Sequence, residues 1–259
     1  MGQETVINAA DTAWVLTATT LVLLMTLPAL ALFYGGLVQA KNILSVLVQC
    51  AAVAALCSVL WFAFGYSLTY SGSADWLGNS GSFFLAGLTR SAVHPGTHIP
   101  ESVFVMFQMT FAVITPALII GAYVERIRFA AVLLVSALWL LIVYAPVAHW
   151  VWGGGWLAKM GVMDFAGGIV VHNVAGLAAL ASILYVGRRR VVESAAHNVP
   201  LVALGTGLLW FGWYGFNAGS EFKVDSITAL AFLNTDVAAS FGAVAWMAVS
   251  SSCRTGAGS

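Results

Sequence analysis

His172 is the side chain that first raises a chemical question. It sits in Gly168-Ile169-Val170-Val171-His172-Asn173-Val174-Ala175-Gly176, a run too apolar to carry an ionisable group without a reason. An imidazole withdrawn from water without a partner costs several kcal/mol. In its neutral form it both donates and accepts a hydrogen bond, so it suits the wall of a narrow path for a small polar solute. A bond to a neighbouring helix is the structural alternative, and position alone does not separate the two. Asp164 precedes it in Asp164-Phe165-Ala166-Gly167-Gly168. A carboxylate just before a helix satisfies orphan N–H groups and complements the positive dipole end. That role leaves room for an indirect effect on a nearby cation.

The aromatic residues add a second constellation. Trp150, Trp152 and Trp156 flank Gly153-Gly154-Gly155, while Phe107 and Phe111 are four apart and share a helix face. Tryptophan near a membrane surface is commonly a belt residue, but indole or phenyl faces around a cavity attract a desolvated cation by up to about 2 kcal/mol. Phe216 and Ser220, also four apart, could face one cavity, and Gly212, Gly215 and Gly219 permit close helix contact. His94 and His98 have helical metal-ligand spacing but lie beside Pro95 and Gly96 in a loop, where that logic fails, so no metal site is expected. His149 reads as a structural histidine near an interface. Asp236, beside Asn234 and Thr235, is a carboxylate in an apolar stretch with no partner evident from sequence.

The elements that must position these groups follow from composition. Of 259 residues, 61% are hydrophobic and 8% charged, with mean hydropathy +0.93. Soluble domains are about 25% charged, so a soluble monomer is excluded. Ten basic residues balance ten acidic ones, which leaves no basic face for nucleic acid. Three cysteines, two of them inside an apolar run, exclude a disulfide scaffold. Seven stretches reach the roughly 20 apolar residues that cross a bilayer: residues 13–34, 43–70, 103–124, 129–152, 168–187, 200–219 and 227–249. Their apolar content is continuous rather than alternating, which indicates helices and not a β-barrel. The third holds Gln108, Thr110, Thr115 and Pro116, more polarity than lipid contact favours, so it is expected to face protein or water.

Lys41, Arg126, Arg128, Arg188, Arg189, Arg190 and Arg254 fall on one side of these spans, and Arg90, Lys159 and Lys223 on the other. The positive-inside rule then places the N-terminus outside and the C-terminus in the cytoplasm. Glu4 and Asp11 precede or open the first span without any Lys or Arg, so no cleavable signal peptide is read there. The external loop 71–102 is expected to be ordered, because Trp76, Phe83, Phe84 and Leu85 need cover. The whole chain, 1–259, reads as a single membrane domain. Phe33-Tyr34-Gly35 and Trp213-Tyr214-Gly215 offer a faint internal echo.

Five motifs, in order, resemble one family: Phe107-Gln108-Met109-Thr110-Phe111, Glu125-Arg126-Ile127-Arg128-Phe129, Val151-Trp152-Gly153-Gly154-Gly155, Asp164-Phe165-Ala166-Gly167-Gly168 with His172, and Gly215-Phe216-Asn217-Ala218-Gly219-Ser220. From about Ala10 to Met247 the sequence closely resembles the ammonium transporter (Amt/methylammonium permease/Rh) family. The resemblance implies an all-α, polytopic membrane bundle: the first inverted-repeat half, plus two helices of the second half, of an eleven-helix fold assembled as a homotrimer with a pore in each protomer. It implies that Trp152, Phe111 and Ser220, with Phe107 beside them, form an external site where aromatic faces and a hydroxyl replace water around ammonium. Phe111 and Phe216 would be a stacked phenyl gate, His172 the first of two pore histidines, and Asp164 the acidic residue supporting the site.

The implied function is transport, not enzymatic catalysis, and needs no cofactor. Ammonium or its analogue methylammonium binds outside, the proton is left behind, and neutral ammonia crosses a hydrophobic pore in the cytoplasmic membrane at far lower desolvation cost. The family's second pore histidine lies on a tenth helix, beyond the seven spans read here. The ending Ser250-Ser251-Ser252-Cys253-Arg254-Thr255-Gly256-Ala257-Gly258-Ser259 does not resemble the family's continuation and looks frameshifted or truncated. The expectation is therefore that Phe216 and His172 are left bare to lipid or a partner, and that this chain alone does not conduct. The tail that PII-type regulators engage in family members would also be missing. An ammonium sensor or a non-conducting fragment is the alternative function. A bis-histidine haem carrier lacks a second deep histidine, and a metalloprotease lacks His-Glu-x-x-His.

Overall fold

A computed structural model describes residues 6–189 and 196–255. Glu4, Arg190 and the end of the atypical tail, 256–259, lie outside the described residues. Among those described, seven helices are long and apolar enough to cross a membrane: α1 (Ala9–Leu37), α2 (Ala40–Tyr70), α3 (Glu101–Tyr123), α4 (Phe129–Lys159), α5 (Gly168–Val186), α6 (Val199–Glu221) and α7 (Ser226–Ser252). They match the expected spans in number and order. No strand occurs among the described residues, and the one pairing of extended backbone is an isolated bridge between Val93 and Pro100.

Local chemistry sets where these helices start and bend. Asn8 accepts from the backbone N–H groups of Ala10 and Asp11 at 2.9 and 3.1 Å, so α1 begins before its apolar run does. Pro28 has no N–H to give and crowds the preceding turn, and α1 widens at Met25–Leu30. Three further wide turns interrupt the spans at Trp61–Gly65, Leu140–Tyr144 and Gly168–Asn173. The last of these carries His172, and such single-turn bulges are frequent at functional positions.

The middle of the bundle is α3. Over its most apolar window, 83% of residues are buried, against 11% for α7, so α3 is enclosed by protein and α7 is open on nearly all sides. Helices α1, α2 and α5 pack around it. Its polar residues are tolerated there because their hydroxyls bond within the helix: Thr110 donates to the Phe107 carbonyl at 2.7 Å and Thr115 to that of Phe111 at 2.5 Å. Helices α1 and α6 run antiparallel in close contact. A Cβ on Gly205 would come within 2.4 Å of the Phe33 nitrogen, and one on Gly212 within 2.2 Å of Met25 Cγ. Glycine is what lets these two backbones approach.

The loop after α2 is ordered, although not chiefly by covering its aromatics. Trp76 and Phe84 remain mostly exposed, at 65% and 59%. Backbone bonds hold the loop instead. His149 of α4 is fully buried, with Nδ1 2.7 Å from the Thr69 carbonyl and Nε2 2.7 Å from that of Ala74. Trp150 donates its indole N–H to the Trp76 carbonyl at 2.7 Å, and Trp156 its backbone N–H to Asp75 at 3.0 Å. His149 is thus the structural histidine its position suggested.

Candidate functional site

The site is built around a break in α4. At Trp152 the helix stops in a turn that requires glycine, for lack of room at Gly153 and Gly155 and for backbone conformation at Gly154. A Cβ on Gly153 would meet the Thr69 carbonyl at 2.0 Å, and Gly154 takes φ +81°, the left-handed region. The turn aims the Trp152 ring inward, and its indole N–H donates to the Asp164 carbonyl at 2.8 Å. The Asp164 carboxylate in turn caps α5. One oxygen accepts from the N–H groups of Gly167 and Gly168 at 2.7 and 2.8 Å, the other from Ile169 and Val170 at 2.8 and 2.9 Å. All four donors are helix-start groups with no partner inside the helix, so the cap expected from sequence is fully engaged.

Phe111 of α3 lies edge-on to Trp152 with ring centroids 5.8 Å apart, and against Phe107 at 5.1 Å. On its other side it stacks obliquely on Phe216 of α6 at 4.5 Å. Phe111 and Phe216 are each 1% exposed, so Phe216 is not left bare to lipid as expected; α1 packs along α6, and Phe111 of α3 lies against the ring. Ser220, one turn on, donates its hydroxyl hydrogen to the Phe216 carbonyl at 2.9 Å, which leaves its lone pairs to accept. Trp152, Phe111 and Ser220 line a common cavity of about 320 Å³.

His172 lies on the far side of the phenyl pair. Its ring stacks on Trp213 at 5.6 Å and 8°, and sits 5.8 Å from Phe216. It is exposed, as expected, along an open groove of about 1070 Å³ between α5, α6 and α7. Asp164 borders both the groove and the cavity. Cavity, phenyl pair and histidine groove therefore follow one another.

The family model for the Ammonium Transporter Family matches residues 13–256. The ammonium transporter of Aquifex aeolicus is 47% identical over 245 residues, 94% of this chain and 58% of that relative. The chain belongs to the ammonium transporter family. The Bacillus subtilis ammonium transporter is likewise 47% identical, over 92% of this chain and 59% of its own length. Among solved structures, Candida albicans Mep2 superposes with a TM-score of 0.89 at 37% identity, covering 96% of this chain and 56% of Mep2. A structure titled Sensor Amt Protein gives 0.82 at 34% identity, covering 89% of this chain and 59% of that one. This ammonium transporter family chain thus spans a little under three fifths of the length of these relatives.

Within this family member the predicted site residues converge, Phe107 from the next turn of α3. Cavity-wall residues that sequence reasoning did not assign to this site include Tyr70, His94, Phe104 and Phe222. They come from the end of α2, the loop after it, α3 and the α6–α7 turn, and no shared motif marks them. Asp236 also gains a partner, since Tyr214 donates to it in a short hydrogen bond between α6 and α7. Among the described residues no group of three His, Cys, Asp or Glu is placed to hold a metal ion.

Proposed function

We propose that the chain recruits ammonium at the Trp152–Phe111–Ser220 cavity on the outer face of the cytoplasmic membrane. In the complete transporter the cation gives up its proton there, and ammonia passes the Phe111–Phe216 pair to His172. The observation that carries this reading is the sequence of spaces. An aromatic cavity with a hydroxyl acceptor is separated only by two phenyl rings from a groove walled by an imidazole. Indole and phenyl faces attract a desolvated monovalent cation, and a serine oxygen accepts one of its N–H groups. A bare cation would pay heavily to enter the apolar wall beyond, whereas neutral ammonia would not.

The groove beside His172 lies between α5, α6 and α7 and is open to the surroundings rather than enclosed as a channel. We infer that the described residues bind the cation but do not by themselves enclose a conducting path. A homotrimer is expected from the family resemblance, whereas the tail that PII-type regulators engage in family members is not recognised in this sequence. Calorimetric titration of the detergent-solubilised chain with methylammonium chloride tests the site: binding should be seen, and should weaken at least about tenfold in Phe111→Ala. Absence of binding by the unaltered chain overturns the reading. Uptake of labelled methylammonium by proteoliposomes tests conduction. Binding without uptake is also the behaviour a sensor would show, a reading favoured by the likeness to the Sensor Amt structure.

A further inference from the structure

The same cavity has an outer wall that the recruitment reading does not use. His94, in the external loop, stacks face to face on Phe104 with ring centroids 3.4 Å apart and planes within 8°. Tyr70 meets both rings edge-on, at 6.2 and 5.0 Å. Phe104 leads on to Phe222 at 5.1 Å, and Phe222 to Phe107 at 5.4 Å. The aromatic wall around the cation site is therefore continuous from Trp152 out to an imidazole. The loop holds that residue in place: the His94 backbone N–H donates to the Ile99 carbonyl at 3.2 Å, and the Thr97 backbone N–H and hydroxyl return bonds to the His94 carbonyl at 3.1 and 2.9 Å. Two buried polar atoms on this wall, His94 Nδ1 and Tyr70 Oη, have no hydrogen-bond partner among the described residues.

We propose that His94 is the outer, proton-controlled wall of the cation cavity, favouring ammonium while its ring is neutral and expelling it when the ring is charged. The inference rests on the recruitment reading and adds a residue to it. Ammonium carries four N–H donors, of which the inner site meets one with the Ser220 oxygen and others with ring faces. A neutral imidazole adds a further face and a lone pair, whereas an imidazolium has no lone pair and repels a like charge across a dry cavity. Burial pushes the ring's pKa down to about 4, against the opposing pull of the Glu101 carboxylate, so the neutral form prevails at ordinary pH. The other ionisable groups around it are few. Glu101 is engaged by the Tyr66 hydroxyl, Glu221 pairs with Lys223 at 3.0 Å, and Asp164 is spent on the α5 cap.

The test is calorimetric affinity for methylammonium on the solubilised chain across pH. Because only the neutral fraction binds, the unaltered chain should weaken about twofold at pH 4 and about fourfold at pH 3.5 relative to pH 7. His94→Gln, neutral throughout, should stay flat over that range, and His94→Arg should lose at least about tenfold at pH 7. A Gln variant with the same acid loss, or an Arg variant that binds like the original, overturns this inference while the recruitment reading stands. No binding by the unaltered chain at pH 7 overturns both. Binding is reciprocal with protonation. Saturating methylammonium should therefore move the ¹⁵N-histidine signal that titrates near pH 4 to lower pH in the unaltered chain, and an unmoved signal overturns the inference without reliance on any variant.

Discussion

The Trp152 indole donates to the backbone carbonyl of Asp164, 2.8 Å away, while the Asp164 carboxylate holds the N–H of Gly167 and the first three N–H groups of α5. One residue thus couples the ring on the aromatic cavity to the helix that carries His172. The position of the aromatic face and the position of the imidazole are set together, twelve and eight residues either side of the same aspartate.

That coupling predicts an unusual pattern for Asp164→Asn. The amide keeps one acceptor oxygen but turns a nitrogen toward two N–H groups that need an acceptor. Leaving such donors unmet costs about 1–3 kcal/mol. The variant should melt at lower temperature in detergent, and its methylammonium affinity should fall although the carboxylate lines neither ring. Unchanged affinity with lowered stability would show that Trp152 holds its place without the cap.

Helix α1 against α6 offers a paired comparison. In Gly205→Ala the new methyl would sit 2.4 Å from the Phe33 nitrogen and 2.8 Å from the Ala29 carbonyl, both backbone atoms that cannot swing aside. Overpacking of this kind costs about 1–3 kcal/mol, so folded yield and melting temperature should drop. Gly207→Ala, two residues on, meets nothing within 4 Å and should be tolerated. Equal behaviour of the two in a thermal melt would refute the close-packing account.

His149 serves as a bolt between α4 and the loop after α2. His149→Phe fills a similar volume but removes the ring N–H that bonds a carbonyl of that loop region, Thr69 or Ala74 according to the tautomer, at about 1–3 kcal/mol for the orphaned group. Limited proteolysis should then cut within residues 71–80 faster than in the unaltered chain. Protection retained in the variant would assign the loop's order to the Trp76 and Trp156 contacts alone.

At the end of the bundle away from the aromatic cavity, Glu125 ties three segments. It accepts from the Gln39 N–H at 2.9 Å and Asn42 Nδ2 at 2.7 Å, and pairs with Arg189 at 3.0 Å. Partial burial alone would raise its pKa, but the bonds from Asn42 and Gln39 and the charge of Arg189 outweigh it and hold the carboxyl below its usual value of 4.5. A carboxyl depressed in the folded state stabilises above its unfolded pKa, and that contribution disappears as pH falls through the folded one. The melting temperature should therefore decline on acidification below about pH 4.5, and the decline should be shallower in Glu125→Gln.

Much of this was written into the chain as a string. Continuous apolar runs of bilayer length dictate seven helices, since only helices and closed barrels satisfy backbone groups in lipid and the runs lack a barrel's alternation, and the α5 cap follows from an aspartate placed just ahead of a helix start. Trp152, Phe111, Phe216, Ser220 and His172 were legible because each lies in a short motif. The tertiary structure decided what depends on residues far apart in sequence. Phe216 is buried rather than bare because α1 and α3 close over it. Tyr70, His94, Phe104 and Phe222 form one wall although they span some 150 positions, and Asp236 finds Tyr214 across a helix pair. Hydrophobicity is a local property that any window of residues reports. The company a side chain keeps across helices is set by packing, which no window contains.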